Sequence, residues 1–161
     1  MYEIDDKDKV VQLKGVPRPE AGAPMPVVLA TESVLFLVYY KGLVPNYDDH
    51  IVVVRFPGCL SHMFGIPNDE AFRGHPLYER GLEHYAVFEI RSSSWVRRLE
   101  QVNSVHPHHN KKEFLKFKHF IFAFHDSTFE CVASGFDVQA EEEHSMGDVV
   151  LDICNQMSRE M

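Results

Sequence analysis

Cysteine is scarce in this chain: 161 residues hold three, Cys59, Cys131 and Cys154, with no C-x-x-C pair. That usage excludes a disulfide scaffold and a thiolate zinc cluster, and it fits a reducing compartment. Long apolar runs are missing too. The longest, 34–40, has seven residues, where a bilayer-spanning helix needs about 20. No apolar stretch of the secretory kind follows the acidic opening residues 1–8, so a cytoplasmic protein that does not enter membranes is expected. Positive charge is in deficit, with 16 Lys plus Arg against 24 Asp plus Glu and a net charge of −8, which argues against a nucleic-acid binder. Signature loops are absent as well: there is no glycine-rich phosphate loop, no dinucleotide fingerprint, no G-x-S-x-G elbow and no H-E-x-x-H helix.

What remains is an ordinary globular composition, 45% hydrophobic and 25% charged, enough to bury one core. One globular domain over 1–161 is expected, with an acidic stretch at 140–144. Pro17, Pro19, Pro24 and Pro26 make 16–26 an extended connection, because proline removes backbone donors and restricts its neighbours. Runs rich in β-branched and aromatic residues predict strands at 10–13, 27–30, 33–40, 50–56, 59–64, 84–90, 118–124 and 128–136, with a loop at 46–49. Val96, Leu99, Val102 and Val105 recur at helical spacing behind a serine cap and ahead of Pro107, which predicts a central helix over 94–105. Val150, Ile153, Cys154 and Met157 predict a second over 147–158. The fold class is therefore α+β: a mainly antiparallel sheet of six to eight strands with one central and one C-terminal helix.

Residues 118–136 fold on paper about a two-residue turn at Asp126-Ser127. Phe124 then opposes Phe129, Phe122 opposes Cys131 and Phe120 opposes Ala133, so one face is wholly apolar and belongs to the core. The other carries His119, Ile121, Ala123 and His125 against Ser134, Val132, Glu130 and Thr128. This register makes His125 and Glu130 diagonal neighbours and a candidate acid–base pair, since a carboxylate orients imidazole and raises its basicity. His119 and His125 lie six residues apart, about 20 Å at roughly 3.3 Å per residue, too far to ligate one ion at about 2 Å.

Ten histidines invite a second chemistry. Two imidazoles and a carboxylate suffice for a divalent metal such as zinc or iron with open positions. The polar segment 61–78 offers His62, Glu70 and His75, and the His106-Pro107-His108 turn adds two more, although imidazole at a helix C-terminus is also favoured by the macrodipole. Arg73 and Tyr78 are candidate ligand-binding side chains. Trp95 and Arg97 are candidate anchors for a partner, being residue types enriched at hot spots, while packing of Trp95 on the sheet is the competing reading.

Charge is distributed unevenly. Residues 1–90 net −5, 91–118 net +5 and 119–161 net −8, so an acidic ligand or partner is expected at the middle block. The leading expectation is a binding or accessory protein for a protein partner or a small molecule, with no nucleic acid and no membrane among its partners. A small metal-dependent enzyme and a metal-free acid–base enzyme are the alternatives, and an edge strand offers homodimer pairing.

Overall fold

A computed structural model describes residues 2–42, 51–141 and 144–160. The expected loop 46–49, the His50 end of the expected fourth strand and residues 142–143 of the acidic stretch lie outside the described residues. Two antiparallel sheets stack face to face. The five-stranded sheet has the order β1 (Lys9–Gln12), β6 (Val87–Arg91), β7 (Lys118–Ala123), β8 (Thr128–Ala133) and β5 (Ser61–Gly65). The four-stranded sheet runs β2 (Val27–Ala30), β3 (Val34–Tyr40), β4 (Ile51–Pro57) and β9 (Asp137–Glu141). Among the described residues two α-helices, α1 (Ser94–Asn103) and α2 (Met146–Glu160), complete the α+β domain with short 3-10 turns.

The layering explains why several strands are apolar on both sides. In β3, Leu35, Leu37 and Tyr39 point at the other sheet, while Val34, Phe36 and Val38 point at α2 through Val149, Ile153 and Met157. A strand covered on both faces loses the alternation of a half-solvated one. Aromatic rings fill the seam between the sheets. Phe56 of β4 lies 6.0 Å from both Phe120 and Phe122 and 5.7 Å from Phe129, and Tyr39 lies 5.4 Å from Phe124. The proline-rich connection runs along the end of β3: Tyr39 donates its hydroxyl to Pro17 O at 2.7 Å, and Glu20 N–H donates to Tyr40 O at 2.9 Å.

The β7–β8 hairpin keeps its expected faces but not its expected register. Phe122 opposes Phe129 and Ile121 opposes Glu130, a slide of two residues from a two-residue turn. Residues 124–127 form the loop, closed by Phe124 N–H to Ser127 O at 2.9 Å. The wider loop is held from outside, by Asp69 N–H donating to His125 O at 2.8 Å and Thr128 Oγ1 donating to Pro67 O at 2.8 Å. Because side chains alternate with period two, the slide changes neighbours without exchanging faces. Phe120, Phe122, Phe124, Phe129, Cys131 and Ala133 all stay in the core.

Two expectations need correction. β9 carries no strand signal beyond Val138, since an edge strand with one apolar contact to the core has little reason to be hydrophobic. Val102 and Val105, expected on the buried stripe of the central helix, are 58% and 89% exposed. Only Ser94 and Trp95 of α1 are buried, so the helix meets the sheet through its first turn. Phe122→Ala should therefore cost about 3–5 kcal/mol by removing a ring from the seam, and Val102→Ser about 0.5 kcal/mol or less. Urea unfolding of the two variants checks both values.

Candidate functional site

On the outer face of the five-stranded sheet, β8 places Glu130 and β7 places His119, and the turn after the 3-10 segment Phe72–Gly74 delivers His75. All three side chains are buried. Glu130 Oε1 lies 3.1 Å from His75 Nε2, and Oε2 lies 2.9 Å from His119 Nε2 and 2.7 Å from the Tyr2 hydroxyl. The remaining ring nitrogens set the tautomers. His75 Nδ1 accepts from Leu77 N–H at 3.1 Å, so its proton sits on Nε2 and is donated to Glu130. Ser93 Oγ, itself the N-cap acceptor of Val96 N–H, lies 3.0 Å from His119 Nδ1 and donates to it, leaving Nε2–H of His119 for the carboxylate. One buried anion thus takes three hydrogen bonds from neutral donors.

Burial alone would raise the Glu130 pKa, but the hydrogen bonds from His119 and His75 outweigh it and bring it down to about 2. Burial lowers the His119 pKa against the pull of Glu130, which keeps the ring neutral. Tyr2 is held protonated by its burial and by the adjacent carboxylate. Its ring stacks on Trp95 at 5.2 Å, and Trp95 meets His119 edge-on at 5.0 Å. Asp8, buried beside them, accepts from Ser94 N–H at 2.5 Å and Asp5 N–H at 2.8 Å, adding a second cap to α1. The donors of Tyr2, His75 and His119 are spent on Glu130, so the cluster binds the N-terminal segment, the 75–77 turn and the sheet together.

A second group lies nearer solvent. Asp69 Oδ2 is 2.7 Å from His125 Nδ1 and accepts the Tyr85 hydroxyl at 2.6 Å. The Tyr85 hydrogen bond, with His125 assisting against partial burial, lowers the Asp69 pKa, and the same bond pushes Tyr85 up to about 12. Tyr85 sits at φ +53°, in the left-handed region that side chains other than glycine seldom adopt. The His125 side chain is 39% exposed. It is an imidazole oriented by a carboxylate, but the carboxylate is Asp69 and not Glu130, because the slid register moves Glu130 away from the turn and towards His119.

A third feature is a groove of about 490 Å³ between β6, α1 and the 3-10 segment Lys111–Lys116. Ile90, Val96, Phe114, Leu115 and Phe117 supply apolar lining, and Lys7, Arg91, Arg97, Lys111 and Lys118 supply cations. Its two acids are already engaged: Glu89 lies 3.6 Å from both Arg91 and Lys118, and Glu100 lies 2.9 Å from His109. Arg97 also pairs with Asp5 of the N-terminal segment.

The remaining candidate residues are dispersed. His62 is exposed on β5, with its ring 6.5 Å from Phe129, and Glu70 and Arg73 are exposed on the following loop. Tyr78 packs edge-on against Phe72 at 5.9 Å. His106 and His108 are exposed beyond α1, with rings 5.8 Å apart, and the helix end is held instead by His109, 3.1 Å from Asn103 Oδ1. The candidate metal set His62, Glu70, His75, His106 and His108 does not assemble: His75 has both ring nitrogens committed, and among the described residues no three His, Cys, Asp or Glu side chains group to hold a metal ion. Tyr2, Asp8 and Tyr85 had no sequence signal, and Ser93 was legible only as the serine cap of the central helix. His119 had one, its shared face with Glu130. Among the described residues no helix is long and apolar enough to cross a membrane. Compared with protein-family models, curated proteins and solved structures, the chain matches none of them.

The buried cluster makes stability fall with acid. An unfolded chain protonates His119 at about its ordinary 6.5 while the folded ring resists, so stability declines as pH drops below 6.5. Glu130 adds a second loss between its unfolded 4.5 and about 2, an order-of-magnitude 3 kcal/mol. Urea unfolding across this range should show Glu130→Gln less stable at neutral pH and with a flatter slope below pH 4.5. An unchanged slope would show that Glu130 does not carry the second loss.

Proposed function

We propose that the chain is a cytoplasmic binding or accessory module whose groove between β6, α1 and 111–116 receives an acidic segment of a partner protein that carries apolar side chains. The observation that carries this reading is the groove's lining, an apolar floor rimmed by five cations against two acids, in which Glu89 is shared by Arg91 and Lys118, Arg97 pairs with Asp5, and the rim stays net basic. The whole protein is acidic at −8, so the basic rim is a local field of opposite sign that steers an acidic ligand to this place. Leu115 lines the groove and is 81% exposed. An exposed apolar side chain of that size, beside a basic rim, suits a partner segment that brings apolar groups of its own to cover it. The free thiols Cys59, Cys131 and Cys154 support the reducing compartment.

The chemistry of the groove is open to test with anilinonaphthalene sulfonate, an anionic aromatic probe, and N-phenylnaphthylamine, its uncharged counterpart. The sulfonate should bind more tightly, weaken with added salt, and lose about tenfold or more in affinity in the Lys111→Glu, Lys118→Glu double variant, whose sites lie on the surface and leave the fold intact. Equal binding of the two probes, or no effect of the charge reversals, would sink the reading. A dodecanoate arm separates the occupants. Saturable one-to-one binding of the fatty acid that displaces the probe would replace the partner segment by a small amphiphile; weak, non-saturating binding supports the segment.

A further inference from the structure

The turn between β4 and β5 carries a thiol that none of the sites above uses. Gly58 takes φ +59° there and donates its N–H to Ser33 O at 2.9 Å. Two residues on, Leu60 N–H donates to Val132 O at 2.8 Å, which lays the turn against β8 beside Cys131. Cys59 packs on the core cluster that contains Cys131, its own thiol donating to Ser61 O at 3.4 Å, and the Cys131 thiol is its interacting side-chain neighbour. The two thiols are unequal in access. Cys59 is half-buried between exposed Gly58 and Leu60, whereas Cys131 is wholly enclosed.

We propose that Cys59 and Cys131 form a thiol pair responsive to hydroperoxides, in which Cys59 is oxidised first and Cys131 resolves it to a disulfide. Access assigns the order, because a small oxidant reaches the turn but not the β8 core position. Electrostatics assigns the same order: the neighbouring Cys131 thiol, with the backbone of Ser61 and Val132 acting against partial burial, lowers the Cys59 pKa, and burial raises that of Cys131. In the first step the Cys59 thiolate attacks one peroxide oxygen. An S–O bond forms, the O–O bond breaks, sulfur gives up two electrons and the second oxygen leaves as hydroxide. In the second step Cys131 sulfur attacks Cys59 sulfur, forming S–S and breaking S–O, and the oxygen departs as water with the Cys131 proton. Two thiols and one hydrogen peroxide thus become one disulfide and two waters. Cys154, exposed on α2, takes no part.

The full chain carrying Cys154→Ser tests this with hydrogen peroxide as the oxidant. The intact mass should fall by two hydrogens, proteolysis should yield one linked peptide joining 59 to 131, and dithiothreitol should reverse both. Dimedone, which traps sulfenic acid, should label Cys59 strongly in Cys131→Ala and only faintly when Cys131 is present. In Cys59→Ser, a surface-turn change that keeps the fold, Cys131 should stay reduced. Free thiols after peroxide treatment would overturn the proposal. So would Cys59 accumulating as sulfinic acid with Cys131 intact, or oxidation of Cys131 in the absence of Cys59.

Discussion

One buried carboxylate organises half of this molecule. Glu130 is held ionised inside the protein by the two imidazoles and the phenol that donate to it, and an unpaired charge in that place would be untenable. Each donor comes from a different part of the chain: Tyr2 from the N-terminal segment, His75 from the loop after β5, His119 from β7. Satisfying the anion therefore fixes where those parts lie. Tyr2 brings the Trp95 stack, His119 brings the Ser93 cap, and Asp8 closes the first turn of α1. The helix that walls one side of the basic groove is positioned by this polar network as much as by apolar contact, since only its first turn is buried.

The opposite face of the same sheet works by different physics. Phe120, Phe122 and Phe129 meet Phe56 across the seam with no polar group to satisfy, and their contribution is burial and ring packing. Alternate residues of one hairpin thus serve two unlike tasks, an apolar seam inward and an ionic cluster outward. Cys131 belongs to the inner set, next to Glu130 of the outer one, which is how a thiol pair comes to lie beside the core with the basic groove elsewhere.

The hairpin shows how much could be read from the residues and where reading stopped. Alternation of Phe120, Phe122 and Phe124 assigns faces whatever the turn, so the core side was legible. The turn itself was not, because the bonds that widen it come from Asp69 and Pro67, some sixty residues upstream. That two-residue slide exchanged the partner of Glu130 from His125 to His119 and gave His125 to Asp69. Likewise the candidate metal set was drawn from residue types near in sequence, whereas the structure spends His75 on Leu77 and Glu130 and leaves His62 and His106 in solvent.

By itself the sequence determined the α+β class, the two helices and eight of the strands, the inner face of the hairpin and the basic block at 91–118, because these depend on local periodicity and composition. Only the tertiary structure decided the ninth strand, the stacking of two sheets, the tautomers around Glu130, the groove and the meeting of Cys59 with Cys131. Each of those depends on groups far apart along the chain and brought within hydrogen-bond or van der Waals distance only by folding, a relation that no local pattern records.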